Sequence, residues 1–182
     1  AFNLPKGYYY SFLEIADLDA DGDFDVLVGE YYGGLKFYKN KGTPEAPKFL
    51  VPEVNPFGFT SDSEIIIPRL VDIDGDGDLD LVTLENEGYF YLHKNVGTKE
   101  KPQFSLPEKI LQNASIEENM SIPDFEDLDG GGRVDFVIKN EQQELGFYKN
   151  NKNQEDAYFD TSNFNVISTL DTLNISFQFL DV

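Results

Sequence analysis

Asp17-Leu18-Asp19-Ala20-Asp21-Gly22-Asp23-Phe24-Asp25 runs directly into Val26-Leu27-Val28-Gly29. The same kind of phrase returns further along the chain. Asp72 to Asp80 reads DIDGDGDLD and runs into Leu81-Val82-Thr83-Leu84. Asp127 to Asp135 reads DLDGGGRVD, a damaged copy. The three first aspartates are separated by one interval of 55 residues (72 − 17 and 127 − 72). The runs after the two intact loops are short, β-branched and apolar, and they read as strands.

Carboxylates at every second residue, with a glycine at the bend, suit a hard cation that takes six to eight oxygen ligands. In the first loop Asp17, Asp19, Asp21 and Asp25 offer side-chain oxygens, and Asp23 offers its backbone carbonyl. In the second loop Asp72, Asp74, Asp76 and Asp80 do so, with the Asp78 carbonyl. Gly22 and Gly77 mark the bends. Five aspartates in nine residues repel one another, and neither intact loop contains a lysine or arginine. The bland alternative is an acidic surface turn. Calcium is therefore expected at two sites. Magnesium demands a tighter octahedron and keeps its waters. Zinc is disfavoured by zero cysteines and a lone histidine, His93. In the third loop, Asp127–Asp135, Gly131 replaces a carboxylate and Arg133 stands where Asp23 and Asp78 stand, so this loop is expected to be weak or empty. Arg133 is expected to supply the positive charge to Asp127, Asp129 or Asp135.

A helix–loop–helix calcium motif is excluded. It requires a bidentate glutamate at loop position 12, where this chain has Val28 and Thr83.

The 55-residue period extends beyond the acidic loops. Phe49, Phe104 and Phe159 are in phase, as are Leu35, Phe90 and Leu145. Lys39-Asn40, Lys94-Asn95 and Lys149-Asn150 also align. Gly42-Thr43-Pro44-Glu45 recurs as Gly97-Thr98-Lys99-Glu100. Such phase-locking marks one supersecondary unit copied without insertions. In the second unit, strands are expected over about 65–72, 79–85, 89–95 and 103–111. Four strands per unit predict an all-β fold, a β-propeller fragment of 55-residue four-stranded blades. The blades are expected at about 8–55, 63–111 and 118–166. The first strand of a fourth is expected at about 173–182, with Asp181 opening a fourth loop. Three blades and one strand do not close a ring. The remaining blades are expected from a longer chain or from association.

DLDADGDFDVLVG with GGLKFYKNKGTPEAPKF, and DIDGDGDLDLVTL with GYFYLHKNVGT, resemble the FG-GAP/VCBS repeat family. The resemblance covers almost the whole chain. It implies an integrin-α-like β-propeller with calcium in the hairpin loop between the first two strands of a blade. It also implies an extracellular or cell-surface setting, in adhesion receptors, bacterial surface proteins, lectins or the propellers of polysaccharide lyases.

A formal charge of −20 over 182 residues argues against nucleic acid and anionic membranes as partners. Two bound divalent ions would bring that to about −16. The leading expectation is a non-catalytic binding or adhesion module for a glycan or protein ligand. The alternative is the propeller scaffold of a secreted polysaccharide lyase or hydrolase. His93 holds the place of Tyr38 and Tyr148 and reads as an ordinary strand residue. Tyr31-Tyr32 break the repeat in a turn and offer aromatic faces, though packing on a neighbour explains them more simply. The connections 52–64 and 107–119 are expected on the same face as those turns, opposite the acidic loops, and form the plausible ligand face. Asn113-Ala114-Ser115 and Asn174-Ile175-Ser176 match the glycosylation sequon.

Overall fold

The computed structural model describes residues 11–32, 34–112, 122–139, 144–150 and 159–168. The expected fourth-blade strand, Asp181 and both sequons lie outside them. Among the described residues, twelve strands form three four-stranded antiparallel sheets. Blade 1 contains β1 (Ser11–Ala16), β2 (Asp25–Glu30), β3 (Gly34–Tyr38) and β4 (Glu53–Val54). Blade 2 contains β5 (Ile66–Val71), β6 (Asp80–Glu85), β7 (Tyr89–His93) and β8 (Glu108–Gln112). Blade 3 contains β9 (Asp124–Glu126), β10 (Asp135–Lys139), β11 (Leu145–Asn150) and β12 (Phe159–Ser168). In every sheet the strands follow chain order, so each blade is a simple meander. The all-β, propeller-like architecture read from the repeat is the observed one.

The fourth strand of blade 2 starts later than its sequence pattern implies, at Glu108 rather than near Gln103. The reason lies in Asn95. Its Oδ1 accepts from the Gly97 and Gln103 N–H groups, both at 3.0 Å, and pulls the intervening residues into a tight turn. Asn40 does the same in blade 1, accepting from Gly42 at 2.9 Å and Lys48 at 2.8 Å. A Cβ on Gly42 would lie 2.2 Å from the Ala46 carbonyl oxygen, and one on Gly97 2.3 Å from that of Lys101. This close approach explains the recurring Gly-Thr phrase.

The middle strands carry the cores. All six residues of β6 are buried, because its two faces feed two different clusters. Leu81 joins Leu27, Leu35, Phe37 and Ile66 between blades 1 and 2. Val82 and Leu84 join Phe90, Phe136 and Phe159 between blades 2 and 3. Phe136 is fully buried, with the Phe90 ring centroid at 4.8 Å and that of Phe125 at 5.2 Å, both edge-on. Each such side chain contributes roughly 1.5–3 kcal/mol by leaving water. The blades are also joined through Arg69 on β5. Its Nη1 lies 2.8 Å from Glu14 Oε2 on β1, and its Nε donates to the Pro123 carbonyl at 3.1 Å, just before β9. The opposite face of blade 1 exposes Leu13, Ile15 and Val54.

Candidate metal centres

Each acidic loop connects the first two strands of its blade, as the repeat predicts. The loop is shaped by its first carboxylate. Asp17 accepts from the Asp21 and Gly22 N–H groups, both at 3.0 Å. Asp72 accepts from Gly75 at 2.8 Å, Asp76 at 3.1 Å and Gly77 at 3.0 Å. Gly22 and Gly77 have φ of +92° and +96°, the left-handed region that favours glycine. No atom would crowd a Cβ there, so the backbone angle alone selects glycine.

The ninth loop residue is the buried anchor. Asp25 Oδ1 accepts from the Asn40 N–H at 2.8 Å, and Asp80 Oδ1 accepts from the Asn95 N–H at 2.7 Å. Asp80 Oδ2 also accepts from Ile73 N–H at 3.2 Å. Burial pushes the Asp25 carboxyl up to about 6 and that of Asp80 to about 7. Burial, with the adjacent Asp76 carboxylate, raises Asp78 to about 6. These are the signs of negative charge held without enough compensation.

Asp17, Asp19 and Asp25 each present a carboxylate oxygen, and the three oxygens lie within 4.8 Å of one another. Asp72, Asp74 and Asp80 form the same triad, and so do Asp127, Asp129 and Asp135. These groups could hold a metal ion. In the first two loops, Asp19 Oδ1, Asp25 Oδ2, Asp74 Oδ1 and Asp78 Oδ1 are buried with no hydrogen-bond partner. A buried carboxylate oxygen without a donor is costly. Such all-oxygen sets fit a hard cation. Asp21 and Asp76 stand outside the triads. Their Oδ1 atoms instead accept from the Asp23 N–H at 3.2 Å and the Asp78 N–H at 3.1 Å.

The third loop differs in chemistry more than in shape. Asp129 Oδ1 already accepts from the Gly131 N–H at 2.7 Å, so the oxygen that is orphaned in the other loops is satisfied here. The Lys149 ammonium lies 3.1 Å from Asp129 Oδ2 and holds that carboxyl below its usual range. The expectation that Arg133 supplies this charge is therefore corrected. Among the described residues no ion pair joins Arg133 to the triad, and its Nη1 is buried without a hydrogen-bond partner. Lys149 reaches the loop from β11, the third strand of the same blade.

The same lysine serves every blade. Lys39 pairs with Asp19 and lies 3.1 Å from Asp21. Lys94 Nζ lies 3.2 Å from Asp74 Oδ2. No basic residue lies within the intact loops, so a loop-by-loop reading misses these cations. The signal was the in-phase Lys-Asn pair, whose asparagine anchors the ninth aspartate while its lysine reaches the third loop residue.

At the other end of the blades, the Tyr32 N–H donates to the Glu64 carbonyl at 2.7 Å, and the Asn86 N–H donates to Ser63 Oγ at 3.1 Å. The turns between second and third strands thus meet the 52–64 connection, as expected. Tyr31 and Tyr32 pack edge-on, with centroids 4.2 Å apart, and Tyr32 remains exposed. His93 is fully buried against Phe59, and burial lowers its pKa to about 4.

Three in-phase meander blades with an acidic hairpin loop in each define a β-propeller-type repeat module. The FG-GAP-like repeat family matches residues 17–83 and again residues 72–138. These overlapping matches cover more than half of the chain, which therefore belongs to the FG-GAP-like repeat family. Curated proteins give no match to the chain.

Proposed function

We propose that the chain is a calcium-stabilised, non-catalytic binding or adhesion module of an extracellular or cell-surface protein. Two calcium ions would sit in the first two loops. Asp17, Asp19, Asp21 and Asp25 hold one through side chains, with the Asp23 carbonyl. Asp72, Asp74, Asp76 and Asp80 hold the other, with the Asp78 carbonyl. The third loop is weak or empty. The observation that carries this reading is the set of buried, unpartnered oxygens on Asp19, Asp25 and Asp74, which has no counterpart on Asp129.

Calcium supplies the positive charge that one lysine per loop leaves missing. The chain's own residues do the rest. Asn40 and Asn95 fix the deepest carboxylates, Asp17 and Asp72 wind the loops, and the pinned hairpins keep the first two strands of each blade in register. Repeats of this family are typical of extracellular proteins, and calcium loops of extracellular modules work at about 0.1–1 mM calcium. No helix among the described residues is long and apolar enough to cross a membrane. The charge of −20 disfavours nucleic acid and anionic lipid. The exposed Leu13, Ile15 and Val54 face of blade 1 is where a further blade would pack, from a longer chain or by association. The ligand, a glycan or a protein, is assigned to the face opposite the acidic loops.

The test is thermal unfolding with and without excess chelator. At free calcium a hundredfold above Kd each site adds about 2.7 kcal/mol, so chelation lowers the melting temperature by several degrees. An unchanged curve overturns the proposal.

A further inference from the structure

On the face opposite the acidic loops, the connection through Thr60–Ser63 and the start of β7 border an open cavity of about 680 Å³. That is the size of a small-ligand site. Ser61, Asp62, Glu85, Asn86, Tyr89 and Tyr91 line it.

Glu85 is the unusual member. It is 8% exposed, and its carboxylate accepts from Ser61 Oγ at 2.7 Å and Thr83 Oγ1 at 2.9 Å. Both donors are neutral hydroxyls. A carboxylate has about four acceptor directions, so two of them account for half its capacity. Burial raises its pKa, and the Asp62 carboxylate adds to the shift. The polar chain continues inward. Thr83 spends its one hydroxyl proton on Glu85, so His93 Nε2, at 3.3 Å, is the donor to Thr83. Burial lowers the His93 pKa to about 4, so the ring is neutral and adds no positive charge.

The repeat itself shows what completes such a site. One period earlier stands Glu30, 3% exposed on the equivalent strand. The Lys36 ammonium lies 2.5 Å from its Oε2. The register is the same in both blades. Glu30 faces Gly34 and Val28 faces Lys36, whereas Glu85 faces Tyr89 and Thr83 faces Tyr91. Tyr91 thus occupies the place of Lys36 (91 − 36 is 55). Blade 1 fills its carboxylate site from within; blade 2 replaces the lysine by a tyrosine and leaves a cavity. The aromatic wall also suits a cation, because an ammonium is attracted to a ring face. Lys109 Nζ already sits 3.1 Å from the Tyr89 ring centroid.

We infer that this cavity receives a primary ammonium group, the side chain of a lysine on a protein partner, with Glu85 as its counter-ion and Tyr91, in the place of Lys36, as its aromatic wall. The inference rests on the reading of the chain as a binding module and names the ligand chemistry for its open face.

The experiment is a resonance-resolved NMR titration of the calcium-loaded chain at physiological ionic strength. The probes are Nα-acetyl-lysine methylamide and its uncharged analogue Nα-acetyl-norleucine methylamide. Saturable shifts centred on Glu85, Tyr89 and Tyr91 are expected with the lysine derivative and not with the norleucine derivative. Tyr91→Lys supplies an internal ammonium, as in blade 1, and weakens binding about tenfold or more. Glu85→Gln does the same by removing the charge. Equal shifts with both probes, shifts spread over the acidic surface, or undiminished binding by Tyr91→Lys would each overturn the inference. Calcium-dependent melting of the same samples reports the metal sites separately. Loss of the calcium response overturns the proposed module, whereas a retained response without lysine binding overturns the ammonium site alone.

Discussion

Lys94 Nζ lies 3.2 Å from Asp74 Oδ2, and the pairing is repeated one period away in both directions, by Lys39 with Asp19 and Lys149 with Asp129. Each lysine projects from the third strand of a blade, or its immediate end, into the acidic loop between the first two. A cation is thus provided by the chain at the edge of each triad. It neutralises one carboxylate and leaves the others uncompensated.

Lys94 and a divalent ion compete for the charge of Asp74. Lys94→Ala is expected to tighten calcium binding in the second loop, by a factor of about 2–5 for a partly exposed pair. It should also lower the melting temperature in chelator, where the lysine is the remaining counter-charge. Calorimetric titration and melting of the same variant check both signs. Weaker calcium binding in Lys94→Ala would show that the lysine supports the site.

The pH dependence of the metal-free chain should invert that of most proteins. Folded Asp80 keeps its proton to about pH 7, while an unfolded aspartate releases it near 3.8. Between those values the folded state holds more protons, so stability falls as pH rises. Asp25 and Asp78, raised to about 6, act in the same direction. His93, lowered to about 4 from 6.5, acts in the opposite one. In chelator, melting temperatures measured between about pH 4 and pH 7 should therefore decline with pH, and Asp80→Asn should flatten the slope. With calcium the sign reverses, since ligands must be deprotonated to bind.

Arg69 holds the first strands of the three blades together through Glu14 and the Pro123 carbonyl. The pair is about a quarter exposed, which moderates its worth. Arg69→Met should cost about 1–2 kcal/mol, or roughly 2–8 °C in melting temperature. Equilibrium denaturation checks this. A neutral substitution would mean that blade packing rests on the apolar clusters alone.

Much of this architecture was legible because the repeat is in register with itself. The aspartates at 17, 72 and 127 set the period, and the apolar runs after the two intact loops could only be strands. The in-phase Leu35, Phe90 and Leu145 fall on the third strands, where Leu35 and Phe90 are fully buried. The late start of β8 was hidden, because an asparagine side chain, rather than strand propensity, decides that turn. The lysine partners were hidden because they belong to a different strand from the loop they serve. The cavity at Glu85 was hidden for a similar reason. Its walls come from β6, β7 and the 52–64 connection, which no local window joins. The exchange of Lys36 for Tyr91 was nevertheless visible in the aligned repeats, as a carboxylate that had lost its cation.

The central claim is that two loops, and not three, wrap a divalent ion. Isothermal titration of the chelator-stripped chain with calcium tests it most directly. The account predicts two bound ions, falling to one in Asp19→Ala and one in Asp74→Ala, with no change in Asp129→Ala. No binding, or three equivalent sites, would contradict it.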